Sequence, residues 1–338
     1  MAANNFSSLA ISSELNIYLW EDTLSPRVID VWNKTHDTKI NAYHFDNDDE
    51  RSLLLLDGAT LPFDIMVLDN VSAKLFTSQA LFDDLSHLKG VEHNAHSWQK
   101  ACGSRAIPYF WGYVGIAYRK SKVSPPPTQW NDLVEIDEKL KGHVGLIEDS
   151  IETLLPALYS INSSPLTASV SELKQAYRKL SDSAADILTF EYALSYVRSH
   201  PVNNDLYMAM GYSGDQFSLN RYFENDDWDF VLPQGQPYLW VDCLALNTHS
   251  NNKQQAELFL EFLMKPEIAA MNALDIKGAT PNDSALKLLP DSYIKDKAIF
   301  PPQYLLSQSI IDSELSPSNF SLRAKIINSV IKQHEAKP

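Results

Sequence analysis

Two long strand-like segments, "AIPYFWGYVGIAY" at 106–118 and "YLWVDCLALN" at 238–247, interrupt a regular alternation of short strands and helices. Before the first, β-rich apolar runs at 15–20, 39–45 and 63–68 alternate with helical patterns after Pro26 and over 48–56. Such alternation specifies an α/β chain with a mostly parallel sheet flanked by helices. The proline cluster "SPPPTQW" (124–130) stops any element and marks a boundary. Beyond it the pattern resumes, with strands expected over 143–147, 186–190 and 205–210 and helices over 151–161, 192–199 and 215–223. After 247 the chain reads as nearly all helix, over 253–265, 266–274, 301–311 and 321–333. A chain that crosses to a second α/β unit and crosses back makes two hinged lobes. The expected lobes are 1–117 plus 243–298 and 118–242 plus 299–338. The cleft between them is the expected ligand site.

Charge narrows what the cleft can hold. The formal net charge is −15 and the sequence pI is near 5.0. That argues against nucleic acid and anionic lipid as partners, because both require a basic face. It suits a cationic ligand, although acidity also serves solubility alone. No run of 18 apolar residues is present to span a membrane. The segment "MAANNFSSLAISSELN" lacks the charged and apolar regions of a signal peptide. Such a beginning fits a cytoplasmic protein, or one whose signal peptide was replaced by a Met, and composition does not choose.

Motifs for chemistry are few. There is no GxGxxG and no GxxxxGK[ST], which leaves dinucleotide and P-loop sites without a signature. "GYSGD" (211–215) misses the nucleophile elbow by one residue and reads as a turn into a helix. No Cys/His spacing suggests zinc, and no metal, cofactor or catalytic residue is expected. Cys102 and Cys243 allow one disulfide or none, and the count does not decide. Both flank apolar runs, where buried free thiols are the plainer reading.

Carboxylates carry the remaining signal. Asp242 sits inside the return crossing, where a buried charge needs a partner. Trp20 and Asp22 follow the first strand and Asp69 ends the third, at the strand ends where ligands sit in such sheets. Asp149 and Glu152 in "EDSIET" share a helix face, yet Asp-x-x-Glu at a helix start is also a capping box. "FWGY" and "YLWVD" bring Trp111 and Trp240 to the crossings. Acids beside aromatics also build sugar sites, so a carboxylate-pair glycoside hydrolase stands as the alternative.

The ordered set "NIYLWED", "FDIMVLDN", "AIPYFWGYVGIAYR", "TQWNDL", "GLIEDSIET", "YSGDQF", "LWVDCLAL" and "FLMKPEIA…TPN" resembles the periplasmic spermidine/putrescine-binding proteins of polyamine transporters. The resemblance runs from residue 15 to about 320. It implies a two-lobed type II periplasmic-binding-protein fold that closes on a polyamine, a monomer, and no enzymatic activity. It implies a periplasmic location, with the native signal peptide absent from the sequence. Carried over by position, Trp20, Asp22, Asp149, Glu152, Tyr212, Trp240 and Asp242 become ligand residues, joined by Trp111 as an aromatic of the crossing and by Asp69 and Asp312 as added acids. There are departures: Asp69 stands where the transporter proteins have Ser, Val71 where they have Tyr, and Asp312 near a common Gln. The combination of "LWEDTLSP", "LDNVSA" and "YLWVDC" is more similar to norspermidine/spermidine sensors. That subgroup implies a membrane signalling partner acting on cyclic-di-GMP and biofilm; the transporter reading implies an ABC permease instead.

Overall fold

The computed structural model describes residues 14–45, 48–56, 61–77, 80–201 and 205–336. Strands β1 (Glu14–Trp20), β2 (Lys39–Phe45) and β3 (Ile65–Asp69) are parallel, in the order β2-β1-β3. In β1, Leu15, Ile17 and Leu19 are buried while Asn16, Tyr18 and Trp20 are half-buried, as the two-residue period requires. The first four residues of β3 are all buried, as expected of a strand covered on both faces.

The long strand β4 (Ala106–Arg119) runs antiparallel to β9 (Tyr238–Leu246), and β9 runs antiparallel to β3. Over 106–113 β4 pairs with β9; over 114–118 it pairs with β7 (Met208–Tyr212). One strand therefore serves two sheets. Beyond β7 lie β5 (Val144–Gly145) and β6 (Ile187–Thr189), all parallel, while β8 (Trp228–Val231) adds to the far half of β4. β10 (Ile310–Ile311) pairs with the start of β9.

Two apolar cores follow the two sheets. One joins Leu15, Ile17 and Val67 to Trp32 and Phe259, residues of the helices Pro26–Thr35 and Lys253–Met264. The other joins Val144, Ile187 and Met208 to Ile326, Ile327 and Val330 of the helix Pro317–Glu335. Tyr113 belongs to the first and Val114 to the second, where β4 changes partners.

Several expectations are corrected. The helix expected over 301–311 is only Gln303–Leu306, because Ile310 and Ile311 are drawn into the parallel pairing with β9. β7 begins at Met208 rather than 205 and reaches Tyr212, which places Tyr212 at its end. The strand β8 and the helices Asn70–Thr77 and His96–Cys102 were not anticipated. Cys102 and Cys243 form a disulfide, with Cα atoms 5.7 Å apart, that ties the helix His96–Cys102 to β9. The plainer reading of buried free thiols is thereby set aside.

Candidate ligand-binding site

A cavity of about 420 Å³ lies between the two sheets. Its walls carry Trp20, Asp22, Asp69, Asp149, Glu152, Tyr212, Trp240, Asp242 and Asp312, nine of the ten residues the sequence nominated. The tenth, Trp111, is a correction. It is buried behind the wall, stacked on Trp98 at 4.6 Å, with its indole N–H toward the Thr280 carbonyl at 3.4 Å. Adjacent strand residues face opposite sides, and Phe110 takes the cavity-facing place. A register shift between Pro108 and Phe110 sets that phase, with Phe110 opposite Asp242 on β9.

The aromatic wall is continuous. Ring centroids run Trp20–Tyr192 at 6.4 Å, Tyr192–Tyr212 at 5.7 Å and Tyr212–Trp240 at 5.9 Å. Trp240 can lie against β4 because residue 112 is Gly. A Cβ there would sit 2.5 Å from Trp240 Cζ2 and 2.5 Å from Ser213 Oγ. Such rings present apolar faces to methylene groups and negative faces to cations.

Asp242 is buried in β9, directly opposite Asp69 of β3. Asp69 already has partners. Its Oδ1 accepts the N–H groups of Val71 and Ser72, both at 2.8 Å, which caps the helix Asn70–Thr77. Its Oδ2 lies 2.5 Å from Nη2 of Arg51. Burial pushes the Asp69 carboxyl up, but the Arg51 charge and the Ser72 hydrogen bonds outweigh it, and the net shift is downward.

Asp149 and Glu152 divide the roles that the sequence left together. Asp149 Oδ1 accepts the N–H groups of Ile151 at 2.7 Å and Glu152 at 2.5 Å, so Asp149 is a cap. Glu152 does not complete the capping box. The Asp149 N–H goes to Thr153 Oγ1 at 3.0 Å, and Glu152 Oε2 accepts the Tyr212 hydroxyl at 2.5 Å instead. Burial raises the Asp149 pKa, and the backbone N–H groups only partly offset it.

Asp312 accepts the Tyr238 hydroxyl at 2.5 Å. Burial pushes its carboxyl to about 7, helped by the nearby charges of Asp69 and Asp149 and opposed by the Tyr238 hydrogen bond. Asp22 adopts a left-handed backbone, φ 60°, which Asp tolerates better than most residues. Its Oδ2 lies 3.2 Å from both Arg198 and Arg221, and Arg198 also pairs with Glu21.

Sequence reasoning missed four contributors. Asp215, buried on the wall, accepts the Tyr192 hydroxyl at 2.6 Å and the Tyr212 N–H at 2.7 Å, and so holds two rings of the aromatic run. Burial carries its carboxyl to about 7 against those two hydrogen bonds. In sequence it looked like an acid at a helix start. Tyr192 had no signal beyond being aromatic. Arg51 was the one base inside "DDERSLLLL", and that isolation was the available clue. Arg198 gave none, since its partners lie far away in sequence.

The arrangement offers acids at several depths and an aromatic wall between them. Residues 28–301 match the bacterial extracellular solute-binding protein family. The chain is 56% identical over its full length to a norspermidine sensor of Vibrio cholerae, covering 94% of that protein. It is 26% identical, over 87% of this chain and 85% of the other, to the putrescine-binding periplasmic protein SpuD of Pseudomonas aeruginosa. Its fold is similar to that of the spermidine/putrescine transporter substrate-binding protein PotD of Streptococcus pneumoniae. There the TM-score is 0.77 at 22% identity, over 96% of this chain and 100% of the other. These relatives bind or sense solutes and are not enzymes, which sets the hydrolase alternative aside. The chain belongs to the bacterial extracellular solute-binding protein family.

Proposed function

We propose that this protein works in the periplasm, binding norspermidine or spermidine between its lobes. The lobes are assigned as 1–117 plus 243–298 and 118–242 plus 299–338. The loaded protein is presented to a membrane signalling partner that controls cyclic-di-GMP and biofilm. The observation that carries the reading is the pairing of the Trp20–Tyr192–Tyr212–Trp240 wall with Asp149, Glu152, Asp242 and Asp312 around one cavity. A triamine brings about three positive charges at neutral pH, since its amine pKa values lie near the Lys reference of about 10.4. Each ammonium can take charge-assisted hydrogen bonds from a carboxylate. The methylene spacers lie along the rings, whose cation attraction adds about 0.5–2 kcal/mol per contact.

Identity of 56% to a sensor favours signalling. Uptake through an ABC permease is the second reading, and the transporter-type relatives support it. Calorimetry with putrescine, norspermidine, spermidine and a sugar panel tests the ligand. Triamine binding without sugar binding is expected; sugar binding without amine binding rejects the reading. Recovery from a native membrane, with norspermidine present, of a protein bearing cyclic-di-GMP domains separates sensing from recovery of a permease.

A further inference from the structure

Not all of the cavity wall is acid and aromatic ring. Leu56, the last residue of the helix Asp48–Leu56, lines it and is 61% exposed. Phe320, on the helix Pro317–Glu335, lines it and is 42% exposed. Val71, Leu75, Leu315 and Pro317 line the cavity with them. Printed side-chain contacts bring these elements to one end. Arg51 Nη2 lies 3.2 Å from Ser72 Oγ, joining the helix of Leu56 to the helix Asn70–Thr77. Asn70 Nδ2 donates to the Asp312 carbonyl at 2.8 Å, joining that second helix to the segment ahead of Phe320. Elsewhere the wall carries charge, as where Asp22 and Glu21 meet Arg198. Large apolar side chains exposed at the edge of a ligand cavity gain free energy when an apolar group covers them.

Volume sets the size of that group. The cavity of about 420 Å³ has room for about fourteen groups the size of a water, at about 30 Å³ each. Spermidine has about ten non-hydrogen atoms, so on the same measure it leaves about four places unfilled. Resting on the polyamine reading above, we propose that Leu56, Leu75 and Phe320 form an apolar subsite for a short aliphatic substituent on a terminal nitrogen of the bound amine. The ligand class is then the mono-N-alkylated polyamine. An alkylated terminal amine is still a secondary ammonium, so it keeps its charge and N–H donors for the acids. Only the tail is new, and it leaves water against Leu56 and Phe320.

Calorimetry tests this with spermidine and N-butylspermidine, the butyl on a terminal nitrogen, on wild type and on Leu56→Ser/Phe320→Ser. If wild type binds neither amine, the polyamine reading fails and takes this inference with it. Given spermidine binding, N-butylspermidine should bind wild type at least ten-fold tighter, since burying about four carbons outweighs the cost of ordering them. A smaller gap overturns the inference, whatever the variant does. In the double variant the gap should shrink to about three-fold or less, because serine offers the tail no apolar cover. A gap that stays wider also overturns it, and would return the exposed Leu56 and Phe320 to contact with a protein partner. Where the double variant fails to fold, Leu56→Ser and Phe320→Ser are read singly. A gap cut about three-fold or more in either upholds the subsite, and a lesser change in both overturns it.

Discussion

Asp242 sits where three strands converge, opposite Asp69 on one side and Phe110 on the other. It is buried, so its charge must be met by a close partner. Asp242→Asn keeps the shape and removes the charge. Losing one charged hydrogen bond costs about 1.5–3 kcal/mol, or roughly 10–100-fold in triamine affinity by calorimetry. A folded variant with wild-type affinity would remove Asp242 from the site. Asp312 and Asp215 make a second prediction, on pH. Both carboxyls are carried to about 7 from an ordinary 3.8. Between those values the folded chain holds protons that the unfolded chain has lost. Stability contributed by these two groups therefore declines as pH rises from about 4 to about 7. A bound polycation favours the ionised forms, so binding below pH 7 releases protons. Triamine affinity should rise about ten-fold or more from about pH 5.5 to 7.5 and then level off. Asp312→Asn should flatten that rise; an unaltered profile would assign the proton to another group.

At the scale of elements, the turn into residues 152–160 is built by Asp149 and read by Glu152. Asp149→Ala removes the cap and should lower stability by about 1 kcal/mol, seen as a lower melting temperature. Glu152→Gln should leave melting nearly unchanged and weaken triamine binding, because it loses a charge but keeps an acceptor for Tyr212. Equal melting losses in the two variants would return Glu152 to a capping role. Most elements were legible because their apolar periods are strong and local. β1, β2 and the helix Lys253–Met264 lie within a residue or so of expectation. What failed was non-local. "SII" at 309–311 has a helical apolar face by itself and becomes a strand only because β9 offers it hydrogen bonds. "WDFV" of β8 is four residues between acids and a Pro, too short to show a period. Trp111 and Phe110 are equally aromatic, and only the register shift near Pro108 decides which faces the ligand. The candidate site was legible as a set of acids and aromatics. The arginines that neutralise some of those acids were not, because each acts on a partner distant in sequence.

For the whole molecule, two sets of contacts tie the β1–β3 side of the cavity to the segments beyond β4. On one lip, Glu21 and Asp22 of the turn after β1 pair with Arg198 and Arg221 from the helices Ala193–Ser199 and Asp215–Tyr222. On the other, Asn70 Nδ2 donates to the Asp312 carbonyl at 2.8 Å. Both contacts join the segment before β4 to segments beyond it. Partly exposed ion pairs contribute only about 0–1 kcal/mol each, so on the proposed two-lobed reading the arginine lip would bias closure without locking it. The double variant Arg198→Gln/Arg221→Gln should shift the closure equilibrium toward the open form by roughly 1–2 kcal/mol, about 5–30-fold. A closure-coupled ligand would then bind more weakly and dissociate faster, since affinity falls with the population of the competent state. The opposite outcome is informative as well. If Asp22 instead takes a ligand ammonium in competition with the two arginines, removing them strengthens triamine binding. Stopped-flow dissociation rates, read alongside the ligand-free radius of gyration from solution scattering, separate the cases. Faster dissociation with a larger radius supports the latch. Tighter binding at an unchanged radius assigns Asp22 to the ligand and removes the arginine lip as a device for closure.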